Sequence, residues 1–435
     1  MTGVLCAAGR IFQDWSADYR LYQRGRCDLN RLYEHIIGEV LTLVPETRPL
    51  VVAVDDTRVR KRGTKIPGVG YTRDPLGPPF RVHLIRAQRF LQMAATLPEE
   101  SGAARTIPID FWEVPLFPKP RRTATPEEWQ HYREQRQQWN VCRQAGQRLE
   151  RIRQLIRAQQ PSRALWVTVD GGLTNQSFLQ SLPAQTIMIG RIRHDAKMYQ
   201  LPGEGCGKGR QRVYGAKAPT PEQVRQDIAI PWQTVPVYAC GKYHEVRIKT
   251  ITQLKWPKAG QQRILRLIVI APLSYRLRQN SRLLYRKPAY LICTDPGASV
   301  AAVVQAFVRR WGIEVNFRDE KTLLGVGQAQ VRHPQSVPDV PRARVAAYAA
   351  LLLAAWRMFP EHHQTAGLPP PKWHLALKKQ RYSTADLIKR LRYDLWGEGL
   401  SIENNNLDFV NTQPQDTNAE KLLPNLKTAV FYASN

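Results

Sequence analysis

A chain of 435 residues with 43% hydrophobic residues is long enough for two or three modules and has the apolar content of a globular protein. Its 64 Lys and Arg against 36 Asp and Glu give a formal net charge of +28. Cations spread over the whole length, rather than gathered in a tail, point to a folded protein that tracks a long polyanion, as an enzyme or as a structural nucleic-acid binder. A membrane span is not expected, since the longest apolar patch, Val345 to Trp356, fits a buried helix. Arg10, Gln13, Asp14 and Arg20 interrupt any N-terminal apolar run, so no signal peptide is expected either. Cysteines at 6, 27, 142, 206, 240 and 293 have no CxxC or zinc-finger spacing and read as reduced thiols of a cytosolic protein.

In chain order, residues 1–48 read as short helices, with Asp28 capping an amphipathic helix from Leu29 to Val44. The β-rich run Leu50-Val51-Val52-Ala53-Val54 ends in the pair Asp55-Asp56 before Thr57. Thr125-Pro126-Glu127-Glu128 is a capping box with proline at the first helical position, and it predicts a helix to about Gln159. A second buried-type strand, Ala164 to Val169, delivers Asp170 at its end, where Gly171 and Gly172 let the chain turn. A helix near Ser177–Leu182 and a strand near Thr186–Gly190 follow. The next segment, Arg191 to Lys197, is basic. Gly203 to Gly209 lacks the spacing of a P-loop and reads as a basic loop. Strands are expected at 235–239, 244–252, 263–271 and Ala289–Cys293. Ser299 then opens a helix, and 341–358 form another. The His362-His363 pair reads as solvated, and the chain ends in a polar tail from about Asn411.

The helix opened by Ser299 carries Glu314 in an apolar stripe. Phe307, Arg310, Glu314 and Lys321 project within about a quarter-turn of one another. A carboxylate in that setting needs a partner, either Arg310 at i−4 or a divalent cation. With the two strand-end acids there are three such positions. Hard cations such as Mg²⁺ take oxygen ligands from a few carboxylates, and a pair of them activates water and stabilises a leaving 3′-oxygen. The order strand–Asp, helix–strand–Asp, helix–Glu predicts an α/β sheet with helices on both faces, where carboxylates at neighbouring strand ends converge.

These residues resemble a family. Phe307-x2-Arg310-x3-Glu314-x6-Lys321, with Trp311 and Ile313 in place, resembles the Tyr-Arg-Glu-Lys signature of bacterial insertion-sequence transposases of the DDE type. Phe307 stands where the signature has Tyr. Val54-Asp55-Asp56-Thr57 resembles the first-Asp motif, in which the acid directly precedes Thr, so Asp56 is selected over Asp55. Val169-Asp170-Gly171 resembles the second. Arg191 and Arg193 resemble the basic pair after it, and Tyr290 the aromatic that in some members stacks on a flipped base.

The resemblance implies an RNase H-like catalytic core of the retroviral-integrase superfamily, a mixed sheet with flanking helices interrupted by a β-rich insertion. The expected division is a helical DNA-binding region at 1–48, core at 49–201, insertion at 202–288, core with the Glu helix at 289–360 and a basic C-terminal region at 361–435. It implies catalysis by Asp56, Asp170 and Glu314 holding two Mg²⁺ or Mn²⁺ ions. DNA contacts would come from Arg191, Arg193, Tyr290, Arg310, Trp311 and Lys321. The expected activity is cut-and-paste transposition through a hairpin, by a homodimer on double-stranded terminal repeats, in the bacterial cytoplasm at the nucleoid. A nuclease or resolvase without strand transfer, and a decayed or domesticated DNA-binding transposase, are the alternatives.

Overall fold

The computed structural model describes residues 10–78, 80–203, 212–259, 263–278, 280–329, 331–358, 382–388 and 391. Most of the Gly203–Gly209 loop, the His362-His363 pair and the polar tail lie outside these. The chain forms two compact units, one of 1–29, 63–67 and 319–435, the other of 30–62 and 68–318.

A 3₁₀ turn (Arg10–Phe12) precedes α1 (Ser16–Gln23) and α2 (Leu29–Leu43). Then come β1 (Leu50–Arg60), β2 (Gly70–Arg73), β3 (Leu84–Pro98) and β4 (Ala104–Glu113). The single helix expected from Thr125 to Gln159 is two, α3 (Pro126–Gln138) and α4 (Val141–Gln159). Thr125 and Glu128 make the capping box as expected. Asn140 starts the chain again, its side chain accepting from the amides of Cys142 and Arg143. The break separates a solvated helix with no buried residue from one that buries Cys142, Ala145, Leu149, Ile152 and Ile156. β5 (Leu165–Val169), α5 (Gln176–Gln180), β6 (Thr186–Arg191), β7 (Tyr199–Gln200) and α6 (Pro221–Gln226) follow. Next are β8 (Gln233–Ala239), β9 (Lys242–Lys255), β10 (Leu265–Ile270), the hairpin β11 (Ser274–Tyr275) and β12 (Leu284–Tyr285), and β13 (Ala289–Cys293). Three helices close the series: α7 (Val300–Arg309), α8 (Trp311–Thr322) and α9 (Ser336–Met358).

The larger unit is built on one eleven-stranded sheet, ordered β2-β3-β1-β5-β6-β13-β10-β9-β7, with β4 on β3 and β8 on β9. β1, β3 and β4 are antiparallel, whereas β1, β5 and β6 run parallel. That mixed arrangement with flanking helices is the expected RNase H-like core. Of the strands between β6 and β13, β7, β8, β9 and β10 join the core sheet, β10 pairing β13, which pairs β6, while β11 and β12 form a separate two-stranded sheet. α2 falls with this unit from Asn30 onward rather than with the N-terminal residues.

Cross-strand register assigns the two faces, because successive residues on a strand point to opposite sides. Ala53 lies opposite Ala94 on β3 and Thr168 on β5, and Thr168 lies opposite Ile189 on β6. Ala53 and Ala94 pack with Ile313 and Phe317 of α8. Trp166, Ile189, Leu291 and Cys293 pack with Val303 and Val304 of α7. The tandem α7–α8 therefore covers this face. On the other face α4 reaches β4, where Arg148 forms two hydrogen bonds to Asp110 at 2.5 and 2.7 Å and lies over the Trp112 ring.

In the smaller unit α1 contacts α9. There Asp319 accepts from the Thr384 hydroxyl at 2.6 Å and from the Tyr348 hydroxyl at 3.4 Å. Its helix α9 carries Pro341 inside the helix, past the first turn, where the ring removes one intrahelical hydrogen bond. Among the described residues no helix is long and apolar enough to cross a membrane. The four described cysteines, Cys27, Cys142, Cys240 and Cys293, are unpaired.

Candidate active site

The segment from Ser299 to Thr322 was expected as one helix; it bends at Arg310, which caps α7 before α8 begins. Several contacts pin the tandem to the sheet. The Gln305 side chain accepts from the Tyr238 amide at 2.7 Å and donates to its carbonyl at 3.1 Å. Arg309 donates to the Gly102 carbonyl at 2.7 Å, and Asn316 to the Thr106 carbonyl at 3.2 Å. Gly312 permits the close approach, since a Cβ there would stand 1.9 Å from Thr106 Oγ1. These contacts fix where Arg310 and Glu314 stand over β1.

Asp55 and Asp56 have opposite fates. Asp55 shares the face of Ala53, under α8, and its side chain is 14% exposed. Arg310 Nη1 lies 3.2 Å from Asp55 Oδ2 and 3.7 Å from Glu314 Oε1, so one guanidinium bridges both acids. Burial, then the nearby charges of Asp170 and Glu314, push Asp55 up to about 7, against the pull of Arg310. Asp170 follows β5 in register with this face, and its Oδ1 accepts from the Gly172 amide at 2.8 Å. Asp56 points the other way, pairing with Arg58 and, at 2.6 Å, with Arg89. The expectation that Asp56 joins Asp170 and Glu314 is therefore corrected: the strand's alternation turns its carboxylate to the opposite face, and Asp55 is the acid brought to the other two.

Glu314 is also less enclosed than its apolar stripe suggests, with 38% of its side chain exposed. Arg191 ends β6 on the site face and is exposed. Arg193 is exposed too and forms a two-pronged pair with Asp195 at 2.9 Å. Trp311 is 66% exposed at the start of α8. Lys321 is exposed on the part of α8 that belongs to the smaller unit.

Tyr290 departs from expectation. It is 5% exposed and lies on the face opposite the acids, because its neighbour Leu291 pairs with Arg191 on the site face. Its hydroxyl donates to Glu222 of α6. Burial, then that bond, push the phenol up to about 12, while Arg225 and Tyr290 hold Glu222 down to about 2. A ring enclosed in this way offers no platform to a base.

Three carboxylates are the donor set a hard divalent cation takes, and such a cation would offset both the burial of Asp55 and the charge of Asp170 beside it. Among the described residues no three His, Cys, Asp or Glu side chains stand close enough to form a ready-made cluster. Arg310 is the cation between Asp55 and Glu314 in this structure. The donor chemistry fits a metal, and the guanidinium must yield for one to enter.

The residues from 15 to 262 match the family model of the DDE superfamily endonucleases, more than half of the chain. The chain belongs to that family. None of the curated proteins matches it. Endonucleases of this superfamily generally use divalent metal ions and act on DNA, so the chain is a nuclease-type enzyme with a DNA substrate. The match takes in Asp55, Asp56 and Asp170 and stops short of Glu314.

Proposed function

We propose that this DDE endonuclease is a transposase that cuts DNA at transposon ends and joins the freed 3′-OH to a new phosphodiester, with Asp55, Asp170 and Glu314 as the acid triad. The observation that carries the triad is the Arg310 guanidinium spanning Glu314 and the largely enclosed Asp55, with Asp55 raised first by burial and then by Asp170. Asp55, Asp170 and Glu314 would hold Mg²⁺ or Mn²⁺, which would supply Lewis-acid chemistry at the scissile phosphate. Asp55, from mid-strand, and Asp170, from a strand end fastened by Gly172, give two rigid anchors. Glu314 brings the third from α8 and, being partly exposed, adjusts to its ligand. Arg310 holds Asp55 and Glu314 together before loading. Once displaced, it offers its planar fork to a phosphate near the cut. Arg191 stands on the same face beside Asp170, where it meets the backbone of the bound strand. The signature around Arg310, Glu314 and Lys321 supports strand transfer over simple hydrolysis, and pairing of two ends calls for a dimer. A hairpin intermediate remains part of this reading, but without Tyr290 as its base platform.

The test is a cleavage and joining assay on labelled end-containing duplexes with Mg²⁺ or Mn²⁺. The expected products are a nicked strand and then a 3′-joined species, both lost in excess chelator and in Asp55→Asn. Nicking without any joined species would make the protein a nuclease instead. Binding without cleavage in the wild-type protein would make it a domesticated binder.

A further inference from the structure

Gln92 lies directly opposite Asp55 across the β1–β3 pair. Directly opposed residues share a face with their Cβ atoms about 4.5–5.5 Å apart, so the carboxamide stands beside the Asp55 carboxylate. The side chain is wholly buried at 0% exposure. Neither Nε2 nor Oε1 has a hydrogen-bond partner among the described residues. Gln88, four residues back on the same face of β3, donates to Glu113 at 2.7 Å. A buried amide with both ends unmet costs free energy and calls for an explanation. Apolar packing alone does not supply one. Ala94 and Ala53, the next residues along this face, already meet Ile313 and Phe317, and a methionine of like length would fill the space of Gln92 without the penalty.

We infer that Gln92 is a positioning residue for Asp55: its buried carboxamide donates to one carboxylate oxygen once Arg310 has withdrawn, which leaves the other oxygen aimed at the divalent ion. This rests on the proposed triad and extends it. A neutral donor suits the task, because a second fixed cation at Gln92 would compete with the metal. In the free protein Arg310 satisfies Asp55, so the amide waits unpaired.

The experiment compares wild type with Gln92→Met, Gln92→Asn and Asp55→Asn. Without added metal, Gln92→Met should unfold at the wild-type temperature or about 2–4 °C above it, since it removes two unmet polar atoms. Its further rise in unfolding temperature with Mn²⁺ should be smaller than in wild type. The Mn²⁺ concentration for half-maximal cleavage should increase about tenfold, with the rate at saturating Mn²⁺ falling much less, as expected when outer partners of metal ligands are removed. Gln92→Asn keeps an amide one methylene short and should show the same Mn²⁺ defect without the gain in stability. Wild-type Mn²⁺ dependence in both variants overturns the inference. So does a Gln92→Met protein that unfolds several degrees lower without metal, because the amide would then be bonded in the free protein. If Asp55→Asn is inactive while Gln92→Met matches wild type, only the role of Gln92 fails; if Asp55→Asn is fully active, the triad itself fails.

Discussion

The two faces of the large sheet carry similar side chains in different company. Under α7 and α8, Asp55 shares one guanidinium with Glu314, and burial followed by the charge of Asp170 raises it despite Arg310. On the reverse face, Asp56 alone has Arg58 and Arg89, and Glu222 has Arg225 and the Tyr290 hydroxyl. Acids on the reverse face are neutralised within the fold, as structural acids are. On the site face Asp55 is enclosed beside Asp170 with one shared guanidinium, which suits a group that waits for a ligand.

The sharpest way to break this comparison is to neutralise the adjacent aspartates in turn. Asp55→Asn should lower cleavage by about 10³-fold or more, with Asp170→Asn and Glu314→Gln similar, since each removes a charged oxygen ligand. Asp56→Asn should keep cleavage within a few fold. It should cost about 1–3 kcal/mol of stability in denaturant titration, by leaving two half-enclosed guanidiniums less well paired. The reverse pattern would assign the chemistry to the wrong face. Next in size is Arg310→Gln, expected to slow cleavage about 10²-fold through loss of phosphate contact in the transition state. Arg310→Lys should recover little of it, because a point charge cannot make the two-pronged phosphate contact of the guanidinium.

Part of this site is legible from sequence. Apolar runs ending in Asp announce both strands, and Ser299 announces the helices that bring Glu314. Which aspartate of the pair faces the site is not local information. It depends on which side of β1 meets α8, a choice made by Ala53 and Ala94 under Ile313 and Phe317, from segments far apart in the chain. Tyr290 fails for the same reason, since its parity on β13 is set by pairing with β6. The break at Asn140 had a local signal, a capping residue within the helical stretch, which the long run of arginines and glutamines obscured.

Smaller effects sharpen the reverse face. Tyr290→Phe should cost about 0.5–1.5 kcal/mol of stability, one lost buried hydrogen bond, and leave nicking, joining and any hairpin step at wild-type rates. Slowed strand closure with unchanged stability would restore Tyr290 as a DNA contact. The smallest is a pH effect. Glu222 is held near 2, below the usual 4.5. A depressed carboxylate contributes stability that is fully present above its unfolded value and is lost as pH falls toward the folded one. Between about pH 4.5 and 2, Glu222→Gln should therefore flatten the fall in unfolding temperature seen in wild type. Parallel curves for the two proteins would mean that Arg225 and Tyr290 do not hold the charge.

Asp55 and Arg310 meet across 255 residues of chain. At about 5–20 residues per second of synthesis, roughly 13 to 51 seconds separate the making of the two. During that interval Asp170 joins Asp55 in the growing polypeptide, and β13 is made only near its end. Neither the bridging arginine nor the third acid yet exists. A chain released early, by a nonsense codon or a stalled ribosome, carries no complete triad. For the triad proposed above, the order of translation withholds the third acid until the core sheet has all its strands, unlike a site built from one short segment.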